Sequence, residues 1–335
     1  MTIENRLVTA DEADIRLDRW LRRHFPVTQG VVEKWCRTGQ VRVDGKRVTG
    51  AARLQPGDVV RIPPMPPAPP QAPSRRLPPV DPDAIRDLQR AVIYRDDWVI
   101  ALNKPAGLPV QGGPGITKHL DGMLDALKFG AEERPRLVHR LDRDTSGVLL
   151  LARTPGVAAK LAAAFRGRDV EKIYWAVVVG RLEPEAGRID MKLTRIRGVR
   201  GDWTAPALPD DEDAVTAVTD YEMLDATGKH YSLMALRPLT GRTHQLRVHM
   251  DEAGTPILGD TKYGGGKSRV EGFASGLHLH ARALRLPHPQ GGALTLAAEL
   301  PPHMRETFAA LGFQAPSAEP SQWAQKKASK KAVLF

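Results

Sequence analysis

Hydrophobic positions along the chain follow two different rhythms. Near the start, RLDRWLRRHF spaces Leu17, Trp20, Leu21 and Phe25 at helical intervals, with Arg16, Arg19, Arg22 and Arg23 on the remaining positions. VVEKWCRTG predicts a second helix with Val31, Val32, Trp35 and Cys36 inward and Gly39 at its end. The period then shortens. QVRVDGKRV alternates Val41 and Val43 around an Asp-Gly pair, a strand with a hairpin signal, and GDVVRI closes as another strand. Farther on, AVIYRDDWVIALNKPAG reads as two strands joined at the Arg-Asp-Asp turn. GVLLLA reads as a buried strand, and GVAAKLAAAFRG as a helix ended by Gly167. EKIYWAVVVGRL and KHYSLMALRPL are strands, and RTHQLRVHMDEAG has helical length and stops at Gly254. Many strands with few helices between them predict the α+β class, a large mixed sheet with flanking helices rather than a regular βαβ repeat.

Composition divides this pattern. Ten of the twenty positions from 63 to 82 are proline, which removes backbone donors and fixes φ, so an extended spacer is expected over 63–83. Ahead of it, residues 1–62 form a small basic α/β unit. Arg37, Arg42, Lys46 and Arg47 gather around its second helix and first strand. Behind it, residues 84–313 form the large domain. The stretch 314–335 has little apolar content and four lysines, the pattern of a basic disordered tail. The segment 196–214 reads as a polar loop with an acidic end.

With 49 Lys+Arg against 39 Asp+Glu, the formal charge of +10 points to a polyanionic partner, nucleic acid or an acidic membrane surface. The absence of an apolar run near 18 residues and of a signal-peptide pattern predicts a soluble chain with no membrane association. One cysteine, Cys36, excludes an internal disulfide framework and suits a reducing cytoplasm.

Several familiar chemistries are poorly served. Gly266-Lys267-Ser268 lacks the glycine a phosphate loop needs at 261, where Thr261 stands. His278 and His280 share one strand face without a carboxylate or cysteine at a ligand spacing, so a structural role is expected and no metal. Ser146 lacks the hydrolase elbow. One segment stands apart, LVHRLDRDTSGVLLL from Leu137 to Leu151. In it Asp142 lies among His139, Arg140 and Arg143, in a turn punctuated by Gly147. Nearby cations favour a charged, available carboxylate. Taken alone, the same residues also fit a charged turn in which Asp142 and Asp144 pair with arginines.

HRLDRDTSG resembles the signature of the RluA-type pseudouridine synthases. Three further segments agree in the family's order: NKPAGLPVQGG at 103–113, KIYWAVVVG at 172–180, and RPLTGRTHQLRVHMDEAGTPILGDTKYGG at 237–265, followed by LHLHARAL at 277–284. The unit before the spacer resembles the S4 RNA-binding module over roughly 14–62. The wording of RVDGKR and HRLDRDTSGVLL is most similar to the branch of large-subunit ribosomal RNA enzymes known as pseudouridine synthase C.

This resemblance implies a pseudouridine synthase fold with a mostly antiparallel mixed sheet, and a cytoplasmic, cofactor-free enzyme, a monomer, that isomerises uridines in 23S ribosomal RNA, free or in an assembling subunit. Transfer RNA as the target, or RNA binding without catalysis, are the competing readings. It further implies that Asp142 is the catalytic carboxylate, that Tyr174 stacks on the uracil, and that Arg242 pairs with Asp142 from the first turn of its helix. Arg140 would fill the space left by the flipped nucleotide. His139, Arg37, Arg42, Lys46 and Arg47 would be RNA contacts. Asp142 could attack C1′, add to the uracil ring, or take a sugar proton, and the sequence leaves all three open.

Overall fold

A computed structural model describes residues 4–64, 81–113, 115–167, 169–196, 198, 203–314 and 332–334. The chain divides into two compact units, Met1–Arg76 and Leu77–Phe335.

In the first unit, strand β1 (Glu4–Leu7) is followed by helices α1 (Leu17–His24) and α2 (Gln29–Thr38). Strands β2 (Arg42–Val43), β3 (Lys46–Arg47) and β4 (Val59–Ile62) complete a sheet ordered β1-β4-β2-β3. The arginine-rich helix pattern resolves as expected. Leu17, Trp20 and Leu21 are fully buried with Val32, Val41, Leu54 and Val60 in one core, and Cys36 packs against its edge. Gly39 ends α2 in the left-handed region. Asp44 and Gly45 both carry positive φ, 48° and 76°, the two-residue turn that matches strand twist. The buried Glu12 is held at about pKa 2, first by the Trp20 indole N–H 2.8 Å from its carboxylate, with Thr9 and His24 adding to the effect.

The second unit opens with α3 (Pro82–Arg90). The expected spacer reached residue 83, whereas Pro82 starts this helix, its missing N–H being harmless at that position. Asp81 caps it by accepting the Asp83 N–H. Residues 65–80 of the spacer lie outside the described residues. Then come β5 (Val92–Arg95), β6 (Val99–Lys104), α4 (Leu120–Met123), β7 (Arg136–Leu137), β8 (Ser146–Ala152), α5 (Pro155–Arg166) and β9 (Glu171–Val179). They are followed by β10 (Ala186–Ile196), β11 (Trp203–Pro206), β12 (Val215–Thr227), β13 (Tyr231–Pro238), α6 (Gln245–Glu252), β14 (Leu279–Pro287), β15 (Ala293–Ala297), α7 (Pro302–Leu311) and β16 (Ala332–Leu334).

All twelve strands join one mixed sheet, β11-β10-β12-β13-β9-β14-β8-β6-β5, with β15 beside β14, β7 beside β8 and β16 beside β10. The pairs β8–β14 and β10–β16 are parallel and the others antiparallel. The segment 196–214, expected as a loop, contributes β11, because Trp203–Pro206 pairs with the end of β10. The tail expectation also needs correcting: Ala332–Leu334 runs parallel to Gly187–Ile189, and residues 315–331 lie outside the described residues.

Strand β8 shows why an unbroken apolar run was needed. Leu149 and Leu151 enter a core with Ile100, Leu102 and α4, while Val148 and Leu150 face the opposite core with Val99, Ala101 and α5. A strand covered on both faces has no polar side to write into its sequence. Helix α6 sets Leu246 and Met250 against Ile189, Tyr221 and Leu236. No helix among the described residues is long and apolar enough to cross a membrane.

Candidate active site

Asp142 sits on the loop between β7 and β8, and that loop is tied down from three directions. Lys104, fully buried at the end of β6, donates from Nζ to the carbonyls of Pro105 (2.8 Å), Leu108 (3.0 Å) and Arg143 (2.9 Å). Burial pulls its pKa down to about 8, opposed by the charges of Asp144 and Asp142. The N–H of Gly107 reaches the same Arg143 carbonyl at 2.9 Å. Just past the loop, Gly147 (φ 110°) runs so close to β14 that a Cβ there would lie 2.3 Å from the Ala281 carbonyl oxygen. On the same strand, Ser146 Oγ and His280 Nδ1 are 2.8 Å apart. The NKPAG segment thus acts as a clamp on the aspartate loop.

The two acidic residues of the turn have different fates. Asp144 is held by the guanidinium of Arg143 at 2.9 and 3.1 Å. The Asp142 carboxylate, 22% exposed, meets only His244 Nε2, 4.0 Å from Oδ1, among the described residues. It opens on a cavity of about 1640 Å³ lined also by Arg140, Tyr174, Arg242, His244 and Arg247. Tyr174 lies on β9, and its phenol is pushed well above its usual pKa by burial and secondly by the charge of Asp142. Arg140 is exposed at the cavity edge.

The expected Arg242–Asp142 fork is not formed. Helix α6 begins at Gln245, not at Arg242, so Arg242 precedes the first turn, is exposed, and donates from Nε to the Thr216 carbonyl at 3.0 Å. Besides Lys104, the buried cation near Asp142 is Arg247, in the first turn of the helix. Its guanidinium forms a two-bond fork with Asp260 at 2.7 and 2.6 Å and lies 5.0 Å from the Tyr263 ring centre. Burial works against its charge, but the bonds and charge of Asp260, with Asp142 adding, hold its pKa above the usual value. His244 is lowered, chiefly by burial, against the opposing pull of Asp142.

His139 also departs from expectation. Its Nε2 accepts the Leu150 N–H at 2.8 Å and its ring stacks on Phe165 with centroids 4.4 Å apart. Burial, and secondly the charge of Lys172, hold its pKa at about 3. At neutral pH it is therefore an uncharged brace for β8 and not a cationic phosphate contact. His278 and His280 are buried and bonded internally, to Thr307 and Ala298 among others. Among the described residues no cluster of three His, Cys, Asp or Glu could hold a metal ion.

In the first unit, Arg37, Lys46 and Arg47 are exposed. Arg42 spends its guanidinium on the carbonyls of Gly39 (3.3 Å) and Gly45 (3.0 Å), fixing the hairpin. Sequence reasoning missed Lys104, His244, Arg247 and Tyr263. Each stood inside a quoted motif, yet nothing in its spacing revealed which of several basic residues would face Asp142.

A cavity with a carboxylate free of any arginine partner, edged by the exposed Arg140 and Arg242, has the make-up of an enzyme site. Residues 98–252 match the family model described as RNA pseudouridylate synthase, and residues 15–60 match the S4 domain. The Ribosomal large subunit pseudouridine synthase C of Rickettsia bellii is 36% identical over 296 residues, covering 85% of this chain and 94% of that protein. That of Vibrio vulnificus is 34% identical, covering 84% and 88%. The solved structure of human RNA Pseudouridylate Synthase Domain Containing 4 aligns with a TM-score of 0.60 at 29% identity, over 70% of this chain and 98% of that one. The chain belongs to the RNA pseudouridine synthase family and carries an S4 RNA-binding domain; it is an isomerase whose substrate is RNA.

Proposed function

We propose that the protein isomerises specific uridines of 23S ribosomal RNA to pseudouridine, with Asp142 as the group that engages a flipped-out uridine. One observation carries this: of the two carboxylates in the HRLDRDTSG turn, Asp142 alone is left without an ion-pairing arginine, facing the cavity beside Tyr174. The reaction breaks C1′–N1, turns the uracil, joins C5 to C1′, and moves the C5 hydrogen away as a proton while N1 gains one. The sugar develops positive character as the glycosidic bond breaks, and a carboxylate at that point either bonds to it or stabilises it. Tyr174, protonated at neutral pH, supplies a ring face for the uracil. Arg140 fills the gap in the RNA stack, and Arg242, exposed at the cavity rim, meets a phosphate.

Arg37, Lys46 and Arg47 of the S4 domain add phosphate contacts of their own, consistent with the net charge of +10. The ribosomal target is supported by relatives named for the ribosomal large subunit at 34–36% identity. On this reading the enzyme works as a monomer in the cytoplasm, on free or assembling large-subunit RNA. Mapping pseudouridines in RNA from a strain lacking the gene tests it. Loss confined to 23S positions is expected, whereas loss confined to transfer RNA contradicts the assignment.

A further inference from the structure

Among the described residues, His244 is the one whose side chain meets the Asp142 carboxylate, at 4.0 Å, and its backbone is unusual. It adopts φ 53° and ψ 17°, left-handed values uncommon outside glycine, immediately before α6. The surrounding chain enforces this shape. Buried Gln245 accepts from Thr240 Oγ1 (2.7 Å) and the Arg242 N–H (3.1 Å), and donates to the Val218 carbonyl (3.0 Å) and Thr219 Oγ1 (2.9 Å). A left-handed site held so firmly would be cheapest with glycine, so the imidazole itself has a use.

That use follows from its two nitrogens. Nδ1 lies 2.6 Å from the Tyr263 hydroxyl, and the same hydroxyl oxygen accepts the Thr204 N–H at 3.2 Å. In the arrangement inferred here, the phenol accepts from Thr204 and gives its own proton to Nδ1. Burial raises the Tyr263 pKa, so this proton is present at neutral pH. A neutral imidazole that accepts at Nδ1 carries its hydrogen on Nε2, and Nε2 faces Asp142 Oδ1 at 4.0 Å. Asp142, Arg247, Lys262 and Asp260 are the charged groups around this ring.

We infer that Thr204, Tyr263 and His244 form a tautomer-setting relay, in which His244 is a positioning residue that directs an Nε2–H at Asp142 and fixes that carboxylate's orientation when the uridine enters. The 4.0 Å gap is open for a hydrogen bond and would close in the substrate complex, as such contacts commonly tighten there. The inference rests on the proposed role of Asp142 and adds that the hydrogen on the neighbouring imidazole is a donor, not a transferred proton.

Glutamine places an N–H where Nε2 stands and cannot exchange protons, while leucine fills the space with no donor. Steady-state kinetics on ribosomal RNA should therefore separate them. His244→Leu is expected to lower kcat about 10- to 100-fold with KM within about twofold, the scale of removing an orienting partner. His244→Gln should recover most of that loss. Tyr263→Phe, which removes the phenol proton, should lower kcat in the same sense without raising KM, and carries the test if the leucine variant does not fold. The relay is overturned if His244→Leu and Tyr263→Phe turn over within about threefold of wild type, or if His244→Gln is as slow as His244→Leu, which would make proton transfer the role. Wild-type protein inactive on every RNA would instead remove the proposed function itself.

Discussion

Removing Asp260 is a sharp test of how the site is supported. Its carboxylate and the Arg247 guanidinium are 1% and 7% exposed, joined by bonds of 2.6 and 2.7 Å, and Oδ1 also accepts the N–H groups of Lys262 and Tyr263 at 3.1 Å each. Asp260→Ala strands a guanidinium that cannot lose its proton in a site with little water. Breaking such a pair from one side costs about 3–5 kcal/mol, far more than the net worth of the intact pair, because the penalty is the desolvated charge left behind. Asp142 stays close enough to compensate in part, which favours the lower half of that range. For a unit of this size, roughly 2–4 °C is lost per kcal/mol, so a melting point about 6–16 °C lower is expected by calorimetry. Asp260→Asn keeps the acceptor for the two backbone N–H groups and should fall between. Converting both partners to apolar residues, Arg247→Met with Asp260→Leu, should recover much of the stability but not the activity. A loss below about 1 kcal/mol for Asp260→Ala would refute the reasoning, since it would make the pair no stronger than one on the surface.

Two other outcomes are expected. Gly147→Ala forces a Cβ to within 2.3 Å of backbone oxygen at a φ of 110°, so the protein should be recovered largely unfolded or aggregated, and a well-folded variant melting near wild type would contradict the described β8–β14 approach. His249, His278 and His280 are each lowered by burial to about 4 from 6.5, so between those values the unfolded chain binds protons that the folded one refuses. Their contribution is complete above pH 6.5 and is lost as pH falls towards 4, at up to about 1.4 kcal/mol per pH unit per proton. Urea midpoints measured at pH 7, 5.5 and 4.5 should fall steadily, and a flat series would contradict the burial.

What the sequence revealed depended on how local the physics was. The N-terminal helices, the Asp44–Gly45 turn and the fully apolar β8 were legible because periodicity, turn chemistry and two-sided burial act over a few residues. The HRLDRDTSG motif pointed to Asp142 for a different reason, its resemblance to a known signature. Which arginine would be buried near Asp142 was not legible. Arg242 and Arg247 sit five positions apart in one segment, and which of them turns inward depends on where α6 starts and on Asp260, a residue that only folding brings near. His139 looked like an RNA contact beside Arg140, yet its position under Phe165 and its bond to Leu150 arise from the packing of α5 on β8. The strand at Trp203–Pro206 escaped because its pairing with β10 fixes it, while its four residues, ending in proline, are too few to show an alternation.

The most direct test of the central claim uses RNA carrying tritium at uridine C5, since forming the C5–C1′ bond must expel that hydrogen. Wild-type protein should release tritium into water in proportion to pseudouridine formed. Asp142→Asn should release none while binding the RNA with nearly unchanged affinity, because affinity comes mainly from many phosphate contacts. Sustained tritium release by Asp142→Asn would contradict the account.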